Sequence, residues 1–74
     1  MDYEQAKTLI AIADNLGQRE TILSAFEIVT SSQLMADVTS EGEVFYWDGL
    51  KNAQGHFRRV YLTEEQTIEL SRLI

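Results

Sequence analysis

Seventy-four residues carrying twelve acids, six bases and one histidine give a formal net charge of −6. That length holds one small domain, and the absence of cysteine excludes disulfide staples and thiolate metal sites. No apolar run approaches the roughly 18 residues of a membrane span, and acids rather than Lys or Arg follow Met1, so a cytoplasmic protein with no membrane partner is expected.

Residues 3–16 are predicted to be a helix. Asp2 suits the N-cap, Gln5 stands where a capping box requires it, and Gly17 suits the left-handed residue beyond the end. Ala6, Leu9, Ile10, Ala13 and Leu16 recur at helical spacing, and Tyr3 and Ile12 widen the apolar stripe to about half the surface. So broad a stripe predicts packing on more than one neighbour.

The middle of the chain supports two readings. In one, residues 19–26 form a helix with Ile22, Ala25, Phe26 and Val29 on one side, and a third short helix follows Ser31 or Ser32. In the other, FEIVT and QLMADVT are strands, with Ser40-Glu41-Gly42-Glu43 turning into the next strand. The strand reading of 33–39 is preferred because Leu34, Ala36 and Val38 alternate.

Residues 43–48 and 57–62, EVFYWD and FRRVYL, read as paired strands rich in β-branched and aromatic residues. Val60 and Leu62 are expected to face the core. Residues 63–74 read as a second terminal helix, capped by Thr63 with Gln66 completing the box. Leu70, Leu73 and Ile74 share one side there, while Ile68 lies well off it. The fold class expected is therefore α+β, one small domain over 1–74. It comprises an N-terminal helix, an antiparallel hairpin or a three- to four-stranded meander, and a C-terminal helix.

Catalytic motifs are missing. There is no phosphate loop, no GxSxG and no calcium-loop spacing, and His56 is the only ready general base. No enzyme activity, cofactor or metal is expected.

Attention goes instead to the stretch FYWDGLKNAQGHFRRVY, residues 45–61, which holds five of the seven aromatic residues. Lys51, Arg58 and Arg59 fall within nine residues that contain no acid, and the remaining three bases face all twelve acids. Aromatic residues and Arg are enriched at protein-binding hot spots. A cation–π contact of Arg59 with Phe45, Trp47 or Tyr61 is expected. Trp47, Lys51, His56, Arg58, Arg59 and Tyr61 are the candidate partner-binding residues, and Ile68 marks a second contact on the last helix. A short chain without staples either packs well or is completed by a second copy, so a homodimer is one expected arrangement.

GHFRRVYLTEEQTIEL resembles the wing of winged-helix DNA-binding proteins, where a Gly- and Arg-bearing loop feeds a strand, a Thr and a helix. The resemblance implies helices at 3–16, 19–26 and 31–39, with Lys51, His56, Arg58 and Arg59 on phosphates. The implied recognition helix, SSQLMADVTSEG, has no Lys or Arg to hold a DNA backbone. Nucleic acid is therefore the second reading. The first is a noncatalytic protein-interaction or regulatory module. One form of it is a small acidic inhibitor, of the kind phages and mobile elements encode. It would offer Asp2, Glu4, Glu41, Glu43, Glu64 and Glu65 to a basic partner.

Overall fold

The computed structural model of the chain describes residues 1–51 and 57–74, with side chains described as far as Trp47 and again from Arg58. Its elements run α1 (Tyr3–Asn15), α2 (Arg19–Thr30), β1 (Ala36–Val38), β2 (Val44–Lys51), β3 (Phe57–Tyr61) and α3 (Glu64–Leu73). The strands form one antiparallel sheet in the order β1-β2-β3. The α+β meander with a helix at each end is thus the observed architecture.

Both terminal helices start as their sequences dictate. Asp2 accepts from the Gln5 amide at 2.8 Å while Gln5 accepts from the Asp2 amide at 3.1 Å. Thr63 and Gln66 make the same reciprocal pair at 3.1 and 3.0 Å, so two otherwise orphaned amides are satisfied at each end. At the far end of α1, the Gln18 amide reaches the Ala13 carbonyl and the Gly17 amide the Asp14 carbonyl, both at 3.0 Å. That pattern needs a left-handed residue, and Gly17 supplies it with φ +78°. The chain turns at once into α2, because Arg19 bonds Asp14 through Nε at 2.8 Å and Nη2 at 3.1 Å. The same guanidinium donates to Asp37 on β1. Hydrogen bonding to Asp14, then the charges of Asp14 and Asp37, outweigh partial desolvation and raise the Arg19 pKa above its usual value. One side chain therefore ties the α1–α2 corner to the edge of the sheet.

The middle of the chain divides between the two sequence readings. Ile22, Ala25 and Phe26 are buried at helical spacing, and α2 runs on through Thr30, so FEIVT is helix, not strand. Ser31 then closes the helix with φ 55°. The third helix that the winged-helix resemblance implies over 31–39 is not formed: that segment holds β1, with Ala36 opposite Tyr46 and Val38 opposite Val44. Alternation holds for Ala36 and Val38, which turn toward the helices and pack on the core, but the strand is shorter than the expected 33–39, and Leu34 lies before it, exposed.

The turn from β1 to β2 rests directly on α1. The Gly42 amide bonds the Thr39 carbonyl at 3.0 Å, and the Thr39 amide bonds the Glu43 carbonyl at 2.9 Å. A Cβ on Gly42 would stand 1.9 Å from the Lys7 carbonyl oxygen, and its φ is +86°. Only glycine suits both the left-handed backbone and so close an approach.

The core lies between the three helices and one face of the sheet. It gathers Ile10 and Ala13 from α1, Ile22, Ala25 and Phe26 from α2, Leu70 from α3, and Val38, Val44 and Leu62 from the sheet side. Tyr46 packs at its edge, its ring 5.9 Å from that of Phe26.

Two apolar stripes differ from expectation. On α1 the buried line is Ala6, Ile10 and Ala13, while Leu9, Ile12 and Leu16 are exposed, Leu16 to 70%. The small residues permit close helix approach and the larger ones flank it. On α3, Thr67, Leu70 and Ser71 are buried and Leu73 is exposed. The two hydroxyls can be buried because they bond the helix itself, Thr67 to the Thr63 carbonyl at 2.9 Å and Ser71 to the Ile68 carbonyl at 2.6 Å.

Candidate functional site

Alternation along β2 and β3 sends a second set of side chains to the face of the sheet away from the helices. Register sets Phe45 opposite Tyr61 and Trp47 opposite Arg59, so the four residues form one patch. The Trp47 ring meets Phe45 edge-on at 5.8 Å, and Tyr61 tilts against Phe45 at 5.5 Å. The Arg59 guanidinium carbon stands 4.7 Å from the Phe45 ring centre and 5.2 Å from that of Trp47. The cation–π contact expected from the sequence is present with both rings.

The patch covers itself. Phe45 is only 4% exposed although it belongs to no helix-packed cluster, because Trp47, Tyr61 and Arg59 surround it. Trp47 and Tyr61 themselves remain 40% and 46% exposed. A cation held over two rings is worth about 0.5–1 kcal/mol at such an exposed position. It also restricts the otherwise flexible Arg59 side chain toward one orientation.

The patch sits where the sheet narrows. β1 pairs with β2 only over Val44–Tyr46, so from Trp47 onward the hairpin continues as two strands. Between the pairs Asp48–Arg58 and Lys51–Phe57, β2 carries two additional residues, Gly49 and Leu50. Such an irregularity bends a ribbon and re-aims what lies beyond it. A cavity of about 300 Å³ lies beside Phe26, Tyr46 and Val60 from the inner face and is bordered by Tyr61 of the patch as well. Its polar lining is uncharged.

The sequence-based candidates fall in three places. Trp47, Arg59 and Tyr61 form the patch, joined by Phe45 as its buried centre. Arg58 is exposed on β3 one position away, on the opposite face of the ribbon. Lys51 ends β2, and its side chain lies outside the described residues, as does His56 entirely. Ile68 is half-buried on α3, while Leu73, placed by the sequence on the same side as Leu70, is exposed. The acids proposed for a basic partner have local work to do. Asp2 caps α1, Glu4 lies 3.3 Å from Lys7, and Glu64 and Glu65 sit in the first turn of α3. Sequence reasoning missed the Arg19–Asp14–Asp37 clasp and the Gly42 contact, both of which depend on approaches across the fold.

Among the described residues no group of three or more His, Asp or Glu side chains is placed to hold a metal ion. No helix there is long and apolar enough to cross a membrane. Comparison of the chain with protein-family models, with curated proteins and with solved structures finds no match.

Proposed function

We propose that this chain is a noncatalytic protein-binding module whose recognition surface is the aromatic–arginine face of the β2–β3 hairpin. The observation that carries the reading is that Trp47 and Tyr61 stay 40% and 46% exposed around a preorganised Arg59. Rigid aromatic anchors beside Arg are what binding hot spots are made of. The charge pattern supports it as well, since the hairpin is basic within a chain that is acidic elsewhere. An attachment through the acids to a basic partner has less support, because capping and ion pairing already occupy several of them.

The reading is tested by capture from a lysate of the source cells with the wild-type chain and with Trp47→Ala and Arg58→Ala variants. Retention of a protein by the wild type, lost with Trp47→Ala and largely kept with Arg58→Ala, is the expected result. Equal retention by all three overturns it. Binding to mixed duplex DNA at low salt, abolished at moderate salt, would instead favour a nucleic-acid partner.

A further inference from the structure

We infer that the cavity of about 300 Å³ seats one aromatic side chain of the protein partner, with the main-chain carbonyl of that residue held at the cavity mouth. The inference rests on the protein-binding reading above and extends its surface around β3. Tyr61 joins the two places. It borders the cavity, and its ring lies 5.5 Å from that of Phe45 in the patch. A partner seated on Tyr61 from the patch side therefore meets the cavity next, and an anchor in a pocket is what binding hot spots present.

The lining sets the chemistry of the occupant. Phe26, Tyr46 and Val60 form an apolar wall, with the two rings 5.9 Å apart and tilted by 55°. A further ring packs on such a pair offset or edge-on. A volume of about 300 Å³ is the lower end of the range for ligand pockets, so it suits one side chain rather than a length of chain. None of the described residues lining it is charged, and a charged group placed there would lose water without gaining a counter-ion.

Hydrogen bonds already made at the polar end decide what remains to offer. The Ser32 hydroxyl oxygen accepts from the Leu34 amide at 3.2 Å, and the Thr63 hydroxyl oxygen from the Gln66 amide at 3.1 Å. Gln66 Oε1 accepts from the Thr63 amide at 3.0 Å. The Ser32 and Thr63 hydroxyl hydrogens and the Gln66 Nε2 hydrogens are left as donors. Among the described Ser and Thr hydroxyls of the lining, Thr30 differs, since it donates to the Phe26 carbonyl at 2.8 Å. So many donors call for an acceptor. A carboxylate suits poorly, because Glu64 and Glu65 stand in the same first turn of α3 and like charges repel. A neutral carbonyl next to an aromatic ring satisfies both ends, and an aromatic residue within a polypeptide carries that pair.

The probe is N-acetyl-L-phenylalaninamide, added to the whole chain and followed through amide and methyl NMR shifts. Saturable shifts at Ser32, Val60 and Gln66 with a Kd of about 1 mM are expected. Gln66→Glu keeps the capping box but exchanges a donor for an acceptor, and should weaken the probe about tenfold. Val60→Phe should fill the space and abolish the shifts; if that variant fails to fold, Gln66→Glu decides. N-acetyl-L-phenylalanine, with its carboxylate, and N-acetyl-L-lysinamide should each bind about tenfold more weakly or worse. The partner retained by the wild-type chain should be lost by folded Val60→Phe and held less by Gln66→Glu. Absence of saturable shifts, indifference to Gln66→Glu, or equal binding of a charged probe overturns the inference. Probe binding with partner retention unchanged by both variants makes the cavity a small-molecule site and overturns it too. Each of these outcomes leaves the patch as a protein-binding surface, whereas the parent reading falls separately, when partner capture ignores Trp47→Ala.

Discussion

The two faces of the sheet are built from alternate residues of the same strands, yet they are buried by different means. On the inner face, Val38, Val44 and Leu62 are covered by three helices and share one core with Phe26, Ile10 and Leu70. On the outer face, Phe45 is nearly as buried as Val44, but it lies against the Trp47 and Tyr61 rings and the Arg59 guanidinium rather than in the helix-packed cluster. The inner face contributes stability to the whole fold. The outer face is a local assembly with an exposed rim, and that separation lets it be altered without dissolving the domain.

Substitutions can break this contrast at graded depth. Phe26→Ala should cost about 3–5 kcal/mol, enough to leave so small a domain largely unfolded; urea denaturation measures it. Gly42→Ala is expected to cost about 3 kcal/mol or more, since its Cβ would meet the Lys7 backbone at 1.9 Å with φ at +86°. Phe45→Ala should cost less than Phe26→Ala, about 2 kcal/mol, because Trp47, Tyr61 and Arg59 can collapse into the space. A loss as large as that of Phe26→Ala would mean the outer face is part of the core after all. Arg19→Ala should cost about 1 kcal/mol, a figure kept small because its side chain is 43% exposed. Leu16→Ser should change stability by no more than about 0.5 kcal/mol, whereas a helix buried along the stripe read from the sequence would lose several times that.

Much of the frame was legible in advance because local chemistry specifies it. Asp2 with Gln5, Thr63 with Gln66, and Gly17 are boundary signals whose partners lie within a few residues. Leu62, expected to face the core, is buried in it, while Val60, expected there too, is half-buried beside the cavity. The stretch 26–30 was harder: FEIVT has strand propensity, and only packing of Phe26 against the sheet decides for helix. On α1 the apolar residues outnumber the buried positions, so periodicity could not tell that Leu9 and Leu16 stay outside. On α3 the reverse holds, since Thr67 and Ser71 hide their hydroxyls in helix bonds that no hydropathy pattern reports. The partner-binding candidates were legible as composition, and alternation already parts Arg58 from Arg59, but the gathering of Trp47, Arg59 and Tyr61 around Phe45 depends on the register of β2 against β3.

On the proposed reading, the outer face serves recognition rather than stability. The most direct test of that claim is Trp47→Ala measured two ways on the same preparation, by urea unfolding and by association with the captured partner. Stability within about 1 kcal/mol of wild type together with association weakened about tenfold or more is the expected result. Unchanged association by a folded variant would contradict the claim.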